Sequence, residues 1–580
     1  MPEHTQELRR IHWTECLPFT YIFRAFRLAA QPTKLVLALA MILCTGFWGG
    51  LLDRVWSSAG HAALSGETHG YPVVADFCGW KEAYERNGAD ALAGLMTREL
   101  KSNRSAEEIA KEVRTDRPAA LAKAGKLLDE RYKKLIDLDE RAKREADKLK
   151  DLSDDERDAK LAEMVAASRA EYRDLRHRLG LLGRRGIFAE WLRYEAHYFN
   201  ASFRAARELR FYREADFCAI SRRGADPGTI QAAVAGAGPV KGLSIAANLC
   251  MMGRGVGWMV REHTWFAFFF FLGSLAIWAF FGGAICRIAA MHAARDERIP
   301  IGQALRFSYR KFLGFFSAPL IVDILLLLLG FALLVGGAVA AVPVLDILSG
   351  LLFFLALICG AIMALLIIGA VGGFSLMWPT IAVEGSDAFD AISRSYSYVL
   401  AKPWRTLLYA VVASLYGGFC ILFVRVFIWL TLACTHGAVG IGTNWADRPE
   451  AGAGLDKLDV LWADPALGSL RPHVDWGSLS GTEPVAAFFI FVWVYILVGL
   501  VYAFAVSFYF SSSTLIYYLL RRDVDATDLE DVYLEEYDED GTETDVSDAP
   551  VESGKPLDEA SPDQPPAEEK DSAADSSDGA

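Results

Sequence analysis

Nine cysteines and ten histidines are scattered over 580 residues, and they form no metal-binding pattern. No two cysteines stand at Cys-x-x-Cys spacing, and His436, two residues after Cys434, has no further ligand beside it. Neither a structural zinc site nor a dithiol redox centre is expected, so no metal and no cofactor are assigned. Catalytic signatures are missing as well. There is no His-Glu-x-x-His and no Gly-x-Ser-x-Gly, and Gly236-Ala237-Gly238-Pro239-Val240-Lys241-Gly242 lacks both the Gly-Lys-Ser/Thr order of a phosphate loop and the spacing of a dinucleotide turn. No catalytic residue is assigned, no nucleic-acid partner is expected, and the chain reads as a non-enzyme. Charge is also scarce where apolar residues run longest, which leads to what the chain does contain.

Six mostly apolar runs are about 18 residues or longer, enough to cross a bilayer core of about 30 Å as helices. They lie near residues 35–52, 265–286, 318–342, 347–378, 406–424 and 485–510. Six such runs, with glycine-rich interiors and charged flanks, predict an all-α polytopic integral membrane helix bundle. Small residues four apart, such as Gly360 with Ala364 and Gly369 with Gly373, suit close helix packing where no hydrophobic effect drives association.

Lysine and arginine are retained on the cytoplasmic side of short loops. The segment after the second run carries Arg287, Arg295, Arg298, Arg306, Arg310 and Lys311; the one after the fourth carries Arg394, Lys402 and Arg405. Both are therefore expected inside, as are the two termini, in a bacterial-type cytoplasmic (inner) membrane. The 435–484 loop is acidic and rich in Gly and Pro, as an external loop would be, and residues 53–264 share its side. Residues 1–34 contain the amphipathic stretch Tyr21-Ile22-Phe23-Arg24-Ala25-Phe26-Arg27. A basic start this long favours an uncleaved anchor over a signal peptide.

The formal charge of −13 divides unevenly. From Asp523 onward there are 22 Asp and Glu against Lys555 and Lys570, a net of −20, which leaves +7 on the first 522 residues. A segment so acidic and so poor in apolar residues cannot offset its ordering entropy, so 523–580 is expected to be a disordered cytoplasmic tail.

The external segment has a patterned centre. Between about 118 and 180, Leu128, Tyr132, Leu135, then Ala142, Ala146, Leu149, then Leu161, Met164, Tyr172, Leu175 and Leu179 recur at three and four residue steps, the narrow stripe of a coiled coil. After a break at Asp151-Leu152, Ser153-Asp154-Asp155-Glu156 is a capping box, and Ser105-Ala106-Glu107-Glu108 is another. An antiparallel helical hairpin is predicted, as a spacer or as a contact surface for an envelope protein through residues 93–185. Cys78 and Cys218, each preceded by Ala-Asp-Phe, are the first choice for a disulfide in an oxidising compartment.

Ionisable residues at membrane depth are functional candidates. There are two, Asp323 near the cytoplasmic end of its span and Arg425 near the external end of its own. Each can reach the interface by snorkelling. The cytoplasmic loops carry more information. Ala304-Leu305-Arg306-Phe307-Ser308-Tyr309 and Ala391-Ile392-Ser393-Arg394-Ser395-Tyr396 match at Ala-x-x-x-Ser-Tyr, and each opens a basic segment between two spans, as a duplicated unit would. Ile301, Leu305, Phe312 and Phe315 are expected on one face of an interfacial helix over 301–316; Phe389, Ile392 and Val399 form that of a second over 387–401. Pro379 is expected to end the fourth span, Ser386 or Asp387 to cap the helix after it, and Pro403-Trp404-Arg405 to turn the chain back. Arg306, Arg310, Lys311, Arg394, Lys402 and Arg405 are the candidate contacts to anionic inner-leaflet lipid.

Pro379-x-x-x-Val383-Glu384-Gly385, with Ala391-Ile392-x-Arg394-Ser395 and Pro403-Trp404-Arg405, resembles the signature of the membrane domain attached to some bacterial glycerophosphodiester phosphodiesterases and found alone in other polytopic proteins. The resemblance covers roughly 265–520 and implies a helical membrane domain with interfacial helices. Its signature positions here are Pro379, Glu384, Arg394, Ser395 and Trp404. The activity of those enzymes resides in a separate barrel that this chain does not supply, since His177-Arg178-Leu179-Gly180 sits within the coiled-coil stripe and has no acidic motif after it. Two classes of function remain: a module that organises envelope proteins or lipids, and a transporter with a path through the bundle. A membrane enzyme acting on lipid head groups through Glu384 and Arg394 is third. Oligomeric state is left open.

Overall fold

In the computed structural model the described residues are 17–64, 67–70, 105–136, 153–181, 184–217, 242–443 and 482–534, with short stretches between 89 and 97 and between 458 and 474. The main helices are α1 (Pro32–Ser58), α2 (Ala106–Thr115), α3 (Arg117–Ile136), α4 (Asp154–Leu181), α5 (Ile187–Arg207), α6 (Ile245–Glu262), α7 (Thr264–Arg295) and α8 (Ile301–Arg310). They continue with α9 (Phe312–Ala340), α10 (Leu345–Leu351), α11 (Phe353–Glu384), α12 (Ala388–Ala401), α13 (Pro403–Thr443) and α14 (Glu483–Asp525). Among the described residues the only strands are Ala63–Leu64 and Arg184–Arg185, paired antiparallel. Among the described residues six helices, α1, α7, α9, α11, α13 and α14, are long and apolar enough to cross a membrane. The protein is an all-α polytopic helix bundle. From Tyr533 onward the chain is a second unit, of which only Tyr533 and Leu534 are described.

The membrane core lies at one end of the bundle, beside α8 and α12, here called the short-helix side. Gly282 to His292 of α7, Leu376 to Val383 of α11 and Phe510 to Arg521 of α14 are buried there almost without interruption. The opposite halves of α9 and α11 expose Leu327, Phe331, Leu334, Ile358 and Ile362. Lipid is the solvent that such surfaces fit, because their backbone polar groups are already satisfied within the helix.

Several expectations change at this end. Pro379 does not end its span: α11 runs through it to Glu384 and stops at Gly385, whose φ of 65° is a left-handed conformation that glycine adopts without steric cost. The expected start at 347 falls in α10, a separate short helix. Phe312 and Phe315 belong to α9, because the helix breaks at Lys311; α8 instead buries Ala304, Phe307 and Ser308. Asp387 takes the N-cap position of α12 with no side-chain capping bond, and Phe389 points out while Ala388, Ala391, Ser395, Tyr398 and Val399 are buried. α14 carries the first acidic residues of the expected tail, so ordered structure extends past Asp523. Residues 535–580 lie outside the described residues.

On the other, hairpin side, α3 and α4 pack around Ala124, Leu128, Tyr132, Leu175 and Leu179. Tyr132 meets Tyr172 at 5.7 Å between ring centroids, whereas Leu121 shares a pocket with Arg184, so the two helices run in opposite directions. Tyr172 Oη donates to Asp129 (2.7 Å) and Arg176 pairs with the same carboxylate at 2.7 Å. Ser105 Oγ accepts from the Glu108 amide at 3.3 Å, and the Ser153 and Glu156 side chains each accept from the other's amide, at 3.4 and 3.2 Å. Ser153→Ala should cost about 1 kcal/mol. Hydrogen exchange at the first turn of α4 checks it: faster exchange confined to that turn is expected, and unchanged exchange would refute the cap. Ala142, Ala146, Leu149 and the 151–152 break lie outside the described residues, as do Cys78 and Cys218.

The hairpin-side helices are tied to the first span by charge. Both carboxylate oxygens of Asp53, near the end of α1, accept from the opening turn of α5, from Phe188 N at 2.8 Å and Ala189 N at 2.9 Å. A carboxylate there satisfies free amides and meets the positive end of the helix. α5 then packs on α6, where Gly255 lets Tyr194 and Glu195 close in: a Cβ at 255 would lie 2.5 Å from Glu195 Oε1. Burial pushes the Glu195 carboxyl up to about 8 from an ordinary 4.5. Its folded value lies above its unfolded value, so the stability it lends is full below about pH 4.5 and declines as pH rises toward 8. Glu195→Gln should flatten the fall in melting temperature between acid and alkaline buffer; a slope equal to wild type would refute this.

Candidate functional site

The short-helix side gathers nearly all the residues singled out from the sequence, and the way α8 and α12 seat explains their repeat. Ala304 and Ala391 are both fully buried, as are Ser308 and Ser395. Each serine rests on a glycine of the preceding span. A Cβ on Gly283 would lie 2.7 Å from Ser308 Oγ and 2.8 Å from the Phe315 ring; one on Gly373 would meet Ser395 Cβ at 3.4 Å. Ser308 Oγ donates to the Phe280 carbonyl of α7, and Ser395 Oγ to Ala391 within α12 at 2.6 Å. Ala-x-x-x-Ser is thus the contact stripe of a short helix folded back on its span. The tyrosines differ: Tyr309 is exposed, while Tyr396 packs on Gly369 and donates to Leu366 O at 2.8 Å.

Between these two units the bundle is filled by aromatic rings. Trp378 stacks on Phe510 at 5.4 Å with 21° between planes, and Trp278 meets Phe510 from another side. Gly282 presses against both Phe510 and Trp378. Trp378 Nε1 donates to Phe315 O at 2.8 Å. That carbonyl lies four residues before Pro319, which has no N–H to give it. The indole supplies the missing donor, and the proline survives inside α9 for that reason.

An ionic brace closes the same end. Glu384 pairs with Arg394 of α12 (2.7 Å) and with Arg521 of α14 (3.3 Å), and it accepts from the Tyr517 hydroxyl. Arg394 also holds Asp390 at 3.1 Å, and Arg521 holds Asp531 at 2.7 Å. Asp523 pairs with Arg405 at 2.7 Å and accepts from Tyr409 at 3.0 Å, while Tyr398 donates to Asp525. Burial, then donation to Asp525, pushes the Tyr398 phenol well up, so it stays a donor. The loop-like acids of the expected tail are therefore half of a lock whose other half lies on α12 and α13.

A family model described as a domain of unknown function (DUF7847) matches residues 260–512. The matched region takes in α7 to α13 and most of α14, with both seated helices, Glu384, Arg394 and Arg405; it ends before Tyr517 and Arg521. No curated protein and no solved structure matches the chain.

Of the remaining candidates, Arg306, Arg310, Lys402 and Trp404 are exposed, Trp404 by 80 %, and Lys311 is partly buried. Asp323 is exposed on α9 with Tyr396 near it. Arg425 is buried near the middle of α13, apart from this cluster. Three buried basic side chains escaped the sequence reading as more than flank charges. Arg287 donates to Ala382 O at 2.9 Å and lies 4.4 Å over the Phe307 ring. His292 sits 2.9 Å from Asp296 and beside Gln31. Lys34 is fully buried, its amine without a hydrogen-bond partner among the described residues. Their positions at the ends of apolar runs gave the only signal, and it reads equally as topology.

Proposed function

We propose that the chain is a non-enzymatic membrane organiser, seated on anionic inner-leaflet lipid through the exposed Arg306 and Arg310 of α8 and Lys402 just after α12, and presenting the α3–α4 hairpin to an envelope partner. The observation that carries this reading is the filled end of the bundle. Where a transporter would need a polar path or broken helices, Trp378, Phe510 and Phe315 pack against Gly282 and Gly283, and Trp278 against Phe510. Where an enzyme would need an uncommitted acid or base, Glu384 already holds two arginines and a tyrosine. In this reading the short-helix side is cytoplasmic, because its loops carry the lysines and arginines, and the 265–520 unit is a membrane domain of the kind it resembles.

Single cysteines in a cysteine-free background test the orientation. A membrane-impermeant maleimide should label Lys160→Cys on intact cells and Arg298→Cys only after permeabilisation. The reverse pattern would overturn the map, and solute flux in sealed vesicles holding the pure protein would overturn the organiser.

A further inference from the structure

Arg425 is 3 % exposed. It lies 22 residues into α13, about 33 Å along the helix at 1.5 Å per residue, which is one hydrocarbon thickness from the short-helix end. With the short-helix end at one membrane surface, that distance sets its guanidinium at the depth of the lipid phosphates of the other. One face covers the Phe203 ring at 4.4 Å, and Nη2 donates to Leu467 O at 3.2 Å. Those two contacts use little of a group with five N–H donors. Among the described residues no carboxylate pairs with it. Instead a second positive charge, Arg204 of α5, stands in its surroundings together with the Tyr502 phenol, which is held in place by Phe199 at 5.3 Å. Arg204 is exposed and also has no carboxylate partner among the described residues. The field of this corner is registered by His197, two residues before Phe199 on α5: burial, then Arg204 and Arg193, push its imidazole down to about 4, so it adds no charge of its own.

A buried guanidinium without a counter-charge is costly, and a second arginine beside it raises that cost. Hydrogen bonds to an anion are what such a pair lacks, and a phosphate offers the geometry that guanidinium forks match. We infer that Arg425 and Arg204 form a binding site for a phosphate-class anion at the hairpin-side membrane surface, with the phosphodiester of a lipid in that leaflet as occupant. The site uses residues apart from the brace and the hairpin, so it stands or falls independently of the organiser reading.

The test is retention of phosphatidylglycerol by the full chain purified from mixed vesicles of phosphatidylglycerol and a neutral diacylglycerol glycolipid, read by native mass spectrometry. Wild type should keep the phospholipid selectively, and Arg425→Gln and Arg204→Gln should each lower retention, roughly tenfold for the buried residue, with Arg425→Lys between. Should Arg425→Gln fail to fold, the exposed Arg204→Gln decides. Inorganic phosphate at millimolar concentration should leave the lipid bound; displacement by it would support the anion site while moving its occupant to a free phosphate. Retention equal to wild type in Arg204→Gln and Arg425→Lys, or equal retention of the neutral glycolipid, overturns the site.

Discussion

Glu384→Gln is expected to lower stability by roughly 2–4 kcal/mol, less than a fully buried pair would cost because Arg394 is partly exposed. The carboxylate is the one group that α11, α12 and α14 share: it faces Arg394 at 2.7 Å and Arg521 at 3.3 Å, with Tyr517 donating between them. Removing its charge leaves Arg521, 10 % exposed at the side chain, with Asp531 alone, and leaves two cations facing each other across an amide. Most of the loss is thus the cost of the stranded arginines. It follows that Glu384→Gln combined with Arg521→Gln should cost less than the sum of the two single changes, by an interaction energy on the order of 1 kcal/mol or more. Reversible unfolding in mixed detergent micelles measures all three; strict additivity would show that the three groups do not act together.

Trp378→Phe should cost a further class of interaction, about 1–3 kcal/mol, from a buried carbonyl left without a donor. Phe315 O accepts from the Trp378 indole in place of the amide that Pro319 lacks. The prediction sharpens in a second background. Pro319→Ala restores an N–H four residues after Phe315, so the helix can satisfy that carbonyl itself, and Trp378→Phe should then be much milder. A double-mutant cycle in which Trp378→Phe costs the same with and without the Pro319→Ala change would show that the indole contributes only its volume against Phe510.

Much of this architecture was legible because lipid selects on composition. Six long apolar runs holding a single charge, Asp323, have few other physical explanations, and the capping boxes at Ser105 and Ser153 are local chemistry that needs no tertiary contact. The paired Ala-x-x-x-Ser-Tyr stretches could also be placed, although what they do, seating Ala304, Ser308, Ala391 and Ser395 on span glycines, needed the glycines' positions in space. The failures share a cause: each was decided by a partner far along the chain. Pro379 looked like a helix end, since nothing local shows the packing that carries α11 on to Gly385. Asp523 and Asp525 looked like the start of a solvated tail, yet Arg405, Tyr409 and Tyr398, more than a hundred residues earlier, hold them. Phe312 and Phe315 fit an interfacial helix by period alone, and the break at Lys311 gives them to the span instead.

The organiser reading is tested most directly by placing a photo-crosslinking amino acid at exposed positions of the hairpin, such as Lys160, Glu163 and Glu171 on α4 and Lys133 on α3, in the full chain in its own cells. A discrete adduct of constant mass, formed from one face of the hairpin and not from the other, is the expected result. Adducts absent from every position, together with solute movement by the pure protein in vesicles, would contradict it.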